Sequence, residues 1–409
     1  MRIPALARRL TAGGAILAAA AVLPAAPAAS AAAGRAAPKT VPAVVAWGDN
    51  SQGQLGNGTT TDSGTPVYVK LPASQQFTTL RSDQFSVAVS ASGRVYTWGA
   101  NASGQLGDGT TTSRLTPGRV QLPAGVRVTT ARLGFNFTLA LTAGGKVLSW
   151  GYNHFGQLGT GSTANHHKPV WVKLPKGVKV TAISAGLDSA LALTSTGRVL
   201  SWGANEAGQL GDGSTAERHR PGYVRLPRHT KISSLAAGDM TGFAVTTTGR
   251  LLAWGYNFSG QLGDGTTKNR KTPVFTRLPT GVKVTAAAAG LLHTLALTTG
   301  HKVLAWGDDQ YGQLGIGSAA SQHKPVRVGL PAGTKVTRLT AGEYFGMVLT
   351  AGHHVLAWGV VSIGQIHTAR VPGPGRVVRV DLPPGFTPAG IGAGWHSQSP
   401  MVSGRQIPD

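Results

Sequence analysis

The chain has 409 residues, with 58 glycines, 24 prolines and no cysteine, which excludes disulfide staples and thiolate metal sites. Lys and Arg number 38 against 15 Asp and Glu, giving a formal charge of +23. So few carboxylates argue against a paired-carboxylate hydrolase, and the positive excess raises the expectation of an anionic partner.

Taken in chain order, residues 1–31 carry the three parts of a secretory signal. These are Arg2, Arg8 and Arg9, an apolar stretch from Ala15 to Leu23, and small residues ending near Ala29-Ser30-Ala31. Export is therefore expected, by the general secretory route more than by the twin-arginine route that Arg8-Arg9 would also fit. The apolar stretch is too short to span a bilayer, and no run of about 18 apolar residues follows it, so no membrane insertion is expected. Residues 32–42 read as a disordered linker, and residues 43–409 as one repeat domain.

That domain is organised by seven Trp-Gly pairs, at Trp47, Trp98, Trp150, Trp202, Trp254, Trp306 and Trp358, spaced by 51 residues once and by 52 five times. A fixed period of this length indicates a repeat architecture. Each Trp is followed at the sixth and seventh positions by Gly-Gln, from Gly53-Gln54 to Gly364-Gln365, and a Leu-Pro pair closes each copy.

One copy contains four short strand signals: Val180–Ile183, Ala190–Leu193, Arg198–Trp202 and Tyr223–Leu226. Four-stranded units at this period, with no helical pattern, predict an all-β, seven-bladed β-propeller. Each Trp is then expected to fill a gap between blades. The first copy lacks its first two strands, and the segments Pro388–Ala393 and Ser397–Ser403 supply two strands with no Trp-Gly strand after them. Pairing the two termini in one blade closes the ring and removes an exposed sheet edge.

The string Trp254-Gly255-Tyr256-Asn257-Phe258-Ser259-Gly260-Gln261-Leu262-Gly263-Asp264-Gly265-Thr266, with Ala289-Gly290-Leu291-Leu292-His293-Thr294-Leu295-Ala296-Leu297 in the next unit, resembles the RCC1 repeat over essentially all of Ala43 to Gly404. The seventh copy departs from the pattern, with Gly359-Val360-Val361-Ser362-Ile363 lacking the usual Asn and His367 and Ala369 replacing turn glycines. The His that the family carries in the second strand survives as His293, with Phe85, Phe137, Ser189, Thr241 and Phe345 elsewhere, so a packing role is expected for it. The resemblance implies a propeller that docks a macromolecule on one face. Its eukaryotic prototype is a chromatin-bound exchange factor for a small GTPase. That activity is not carried over, because export would remove the chain from such a partner and no insertion between copies resembles an exchange wedge. The nearer analogy is with secreted bacterial propellers of this type, one of which inhibits β-lactamases.

Two surfaces follow from the repeat phase. Aromatic residues after Trp-Gly, namely Tyr152, Phe155, Tyr256, Phe258 and Tyr311, are expected to share one face as partner-binding loops. Arg127, Lys179, Lys231, Lys283 and Lys335 each lie 29 residues after a Trp, and Arg94, Lys146, Arg198, Arg250 and Lys302 each lie four before one. These sets predict partial basic rings suited to a polyanion.

Chemical motifs are absent in pattern. The pairs His166-His167 and His353-His354 read as loop histidines without a third ligand, and Asp108, Asp212 and Asp264 as turn residues at one repeat position. No nucleophile elbow or phosphate loop is present. The sequence therefore predicts a secreted, monomeric, non-catalytic binding scaffold without metal or cofactor, whose partner is an extracellular protein or, as the alternative, an anionic polymer or cell surface. Nucleic acid is a less favoured partner, and a propeller hydrolase or lyase is the enzyme alternative.

Overall fold

The two middle strands of each repeat are apolar along most of their length, with little alternation. Segments of that kind are stable only when both of their faces are covered. In the computed structural model, which describes residues 40–72, 75–360, 375–394 and 396–407, both faces are indeed covered: Phe137–Thr142 and Val147–Gly151 are buried at every position. The cover comes from neighbouring blades. Among the described residues there are seven four-stranded antiparallel sheets, each ordered from an inner strand through two buried strands to an outer one, as in Phe77–Ser82, Phe85–Ser90, Val95–Gly99 and Arg114–Arg119.

The expected fourth strand at Tyr223–Leu226 is displaced. The outer strand is Arg218–Tyr223, pairing Gly203 with Arg218 and Leu200 with Tyr223 across a bulge. This strand is half exposed and polar, so alternation does not mark it, and the apolar Val224 and Leu226 that follow belong to the packing beneath it.

Ring closure occurs as the incomplete ends require. One sheet is ordered Ser63–Tyr68, Val41–Gly48, Met401–Gln406, Phe386–Gly392, with Val44 paired to Ser403 and Gly390 to Ser403 on the other side. Residues 41 and 42, read from sequence as the end of the linker, are strand, because Gln406 and Arg405 give their backbone a partner. The expected signal segment and the Gly364-Gln365 loop of the seventh copy lie outside the described residues.

The seven Trp side chains of the Trp-Gly pairs are at most 1 % exposed. Trp150 packs with Phe85, Val87 and Val89 of the preceding blade and with Val128 and Leu148 of its own, so each indole is a wedge between sheets. Burying one contributes about 5 kcal/mol by area, as an upper bound. The wedge is also fixed in orientation: Nε1 of Trp98, Trp150, Trp202, Trp254, Trp306 and Trp358 donates to the carbonyl of Gln54, Gln105, Gln157, Gln209, Gln261 and Gln313 at 2.8–2.9 Å. The glycine after each Trp has φ near +100° and no room for a side chain, since a Cβ at Gly255 would collide with the Met240 carbonyl.

Candidate functional site

A propeller blade places its turns on two opposite faces, and the backbone bonds show which turns meet. The loop after Trp-Gly returns to the hairpin joining the inner and second strands: Tyr152 N donates to Asn136 O, Ala204 N to Asp188 O, Tyr256 N to Met240 O and Asp308 N to Leu292 O. These loops and inner hairpins therefore form one face, hereafter the loop face. The remaining turns, between the second and third strands and between successive blades, form the other.

The five aromatic residues lie on the loop face as expected, but they do not converge into one cluster. Tyr152 stacks on His154 at 6.2 Å, and His154 meets Phe155 edge-on at 5.3 Å. Tyr256 stacks on Phe258, which is 74 % exposed, and Tyr311, 43 % exposed, rests 4.7 Å from Tyr344 of the next blade. Three separate aromatic patches thus surround the centre of the face, and Phe258 has little packing to explain it.

The centre itself is acidic, which sequence reasoning missed. Every acidic residue except Asp381 and Asp409 sits in an inner hairpin or in a loop after Trp-Gly. Asp83, Asp239 and Glu343 share one repeat position, 15 residues before a Trp, so the periodicity carries the signal. Around the channel mouth the hairpins bond to one another, with Phe135 N to Leu187 O, Leu187 N to Asp239 O and Glu343 N to Ser397 O.

His396 lies between two of these acids, its Nδ1 3.6 Å from Asp83 and its Nε2 3.7 Å from Glu343, with Phe135 edge-on to its ring. Hydrogen bonding to Asp83 holds the imidazole above its ordinary pKa against the effect of burial. Burial pushes Asp83 up, and pushes Asp188 and Asp239 to about 6, with the charge of Glu206 adding to both of the latter. No group of three or more His, Asp or Glu suited to a metal ion occurs among the described residues.

The basic sets lie on the opposite face and separate in character. Arg127, Lys179, Lys231, Lys283 and Lys335 are all exposed, each immediately before an inner strand. Arg94, Lys146, Arg198, Arg250 and Lys302 sit in the turns before the third strands, where several are committed within the protein. Arg198 stacks on Tyr223 at 3.4 Å, Arg250 on Phe275 at 3.3 Å, Lys146 lies 5.5 Å over Trp171, and Lys302 Nζ donates to Thr334 O at 3.2 Å. Both sets are largely exposed, but in the second Lys146, Arg198 and Arg250 lie over aromatic residues of the outer strands.

The recurrent turn aspartates and several histidines make contacts within the fold. Asp108, Asp212 and Asp264 each accept from a Ser or Thr two residues on and pair with Arg114, Arg218 and Arg270 respectively, ion pairs that sequence reasoning did not anticipate. His353 occupies a turn at φ 57° with Nδ1 3.1 Å from Pro388 O. His166-His167 are not in a loop: they open the outer strand His166–Trp171. His293 is 1 % exposed, and burial lowers its pKa to about 4.

Comparison with known proteins agrees with this geometry. The profile of the RCC1-like domain matches residues 40–395. The chain is 31% identical over 325 residues to the ultraviolet-B receptor UVR8 of Arabidopsis thaliana, covering 79% of this chain and 74% of that one. It is 29% identical over 353 residues to the mitochondrial RCC1 domain-containing protein RUG3 of Arabidopsis thaliana, covering 80% and 79%. The crystal structure of yeast RCC1 (Prp20) bound to Kap60 superposes with a TM-score of 0.79 at 20% identity, over 90% of each chain.

Proposed function

We propose that this chain, which belongs to the RCC1-like domain family, is an exported, non-catalytic scaffold that recognises a protein partner through its loop face. One observation carries the reading: Phe258 and Tyr311 stand exposed on the same face that holds nearly all of the acidic residues. Rigid aromatics beside carboxylates suit a partner surface with basic and apolar character. Yeast RCC1, similar in fold, is bound to a protein, Kap60, in its crystal structure. The exported setting rests on the signal-like residues 1–31.

The test is capture of a partner from the medium in which the protein accumulates. Replacing Tyr152, Phe155, Phe258 and Tyr311 together with Ala is expected to abolish stoichiometric capture while the circular dichroism and melting stay those of the parent. Undiminished capture by the folded variant would reject the loop face.

A second reading is favoured by the exposed Arg127, Lys179, Lys231, Lys283 and Lys335 on the opposite face, which form a partial ring suited to an anionic polymer. On this reading retention on an anionic polymer falls steeply with salt and with Lys-to-Gln changes in the ring, and is indifferent to the aromatic loops.

A further inference from the structure

The inner strands of the seven blades line a central channel, and one level of that channel is chemically one-sided. Positions paired equivalently to the second strands are Arg81, Arg132, Ser184, Ala236, Ala288 and Thr340, with Gly392 in the closing blade. Two adjacent blades thus place arginines where the others place smaller, uncharged residues. The space left is a cavity of about 130 Å³ lined by the first six. The two arginines also line a second cavity of about 660 Å³ that includes Arg338.

The two arginines are only partly exposed, yet they lack the counter-charge that a half-buried guanidinium pair requires. Among the described residues no carboxylate lies within 4.0 Å of either, and their bonds are to neutral acceptors: Arg81 Nη1 to Leu80 O at 2.6 Å, and Arg132 Nη1 to Ala131 O at 2.9 Å and to Thr130 Oγ1 at 2.8 Å. Ser184 and Thr340, on the same girdle, offer side-chain hydroxyls with no hydrogen bond among the described residues. Burial and the Arg132 charge push Arg81 well below its ordinary pKa, and burial lowers Arg132 to about 10. A girdle of donors with two like charges side by side and no acid is costly unless an anion sits in it.

We infer that Arg81 and Arg132 form a binding site in the central channel for a phosphate-class oxyanion. Guanidinium forks match tetrahedral oxyanions, and the cavity has room for one such group together with water. The ligand is either free inorganic phosphate or the terminal group of a phosphate chain. This inference does not depend on the loop face proposed above.

The test titrates the folded protein with inorganic phosphate and, separately, with tripolyphosphate, in chloride at matched ionic strength, by calorimetry and by melting temperature. Saturable binding is expected for the parent. It is expected to weaken roughly tenfold or more in the Arg81→Gln/Arg132→Gln double variant, given the strength of charge-assisted hydrogen bonds. Because removing two adjacent like charges does not demand refolding, the variant's melting without phosphate should equal or exceed the parent's. A variant with Lys179, Lys231 and Lys283 changed to Gln should bind inorganic phosphate as the parent does. Preference for phosphate indicates the free ion, and tighter binding of tripolyphosphate indicates a chain end. Absence of saturable binding of either probe to the parent, or equal binding by the double variant, would overturn the proposal. If the double variant fails to fold, anomalous diffraction from tungstate bound to the parent decides: density at the two guanidinium groups supports the site, and density only at the surface lysines refutes it.

Discussion

The indole Nε1 of Trp202 donates to the main-chain carbonyl of Gln157 at 2.9 Å, across the seam between two blades. Both residues are fully buried, and the bond recurs at five other seams. The recurrent Gly-Gln pair of each repeat is thereby accounted for by geometry: the Gln carbonyl is the acceptor, and the Gln side-chain oxygen caps its own loop, as Gln157 Oε1 accepts from Phe155 N at 3.0 Å.

Trp202→Phe keeps an aromatic wedge but leaves the Gln157 carbonyl without its donor. The expected loss is about 1–3 kcal/mol from the unmet bond, rising to about 3–5 kcal/mol for Trp202→Ala. Equilibrium unfolding in denaturant measures both, and a Phe variant equal to the parent would show that the bond contributes nothing.

Asp309 stands where five other repeats have Asn. The neighbouring copy's Asn257 accepts from Leu262 N through Oδ1 and donates through Nδ2 to Thr266 O and Lys268 O. Asp309 keeps the first bond, to Leu314 N at 2.9 Å, but its Oδ2 is buried without a partner, and burial raises its pKa to about 6. The raised value means that the folded state favours the protonated acid, so stability from this group is present below about pH 4 and is lost as pH rises through 6. Asp309→Asn is therefore expected to stabilise by about 1–3 kcal/mol at pH 7.5, with the gain shrinking toward pH 4. Melting temperatures across that range test it.

His293 sits where Phe85, Phe137 and Phe345 pack in other blades, against Gly290 as Phe137 and Phe345 lie against Gly134 and Gly342. Its folded pKa, about 4, lies below the ordinary 6.5, so the unfolded chain binds the extra proton and the parent loses stability as pH falls from about 6.5 to 4. His293→Phe should stabilise the protein more at pH 5 than at pH 7.5. An unchanged difference between the two pH values would contradict the burial of a neutral imidazole.

Ending the chain at Pro400 removes the strand Met401–Gln406 and strips partners from both Val41–Gly48 and Phe386–Gly392. Two sheet edges would open in the closing blade, and the cooperative melt is expected to be lost or strongly lowered. Removing residues 407–409 alone should leave it nearly intact.

How far the amino-acid sequence reveals this architecture differs by residue, for physical reasons. The Trp wedges and the terminal closure are legible in it because a ring of blades imposes one period on every seam, and the missing strands at one end match the surplus at the other. The outer strand Arg218–Tyr223 is not, because a half-exposed edge tolerates polar residues without alternation. The acidic centre is hard to see because its members are few and turn acids usually serve their own turns. Arg81 and Arg132 carry no signal in the linear sequence, since their meaning lies in five other blades placing smaller residues at the same level of a shared channel.

The recognition face is tested most directly by a photo-crosslinking amino acid placed at Phe258 in one protein and at Lys231 in another, each incubated with captured partner and irradiated. The loop-face reading predicts a covalent partner adduct from position 258 and none from position 231. An adduct from 231 alone would put the contact on the basic face and contradict it.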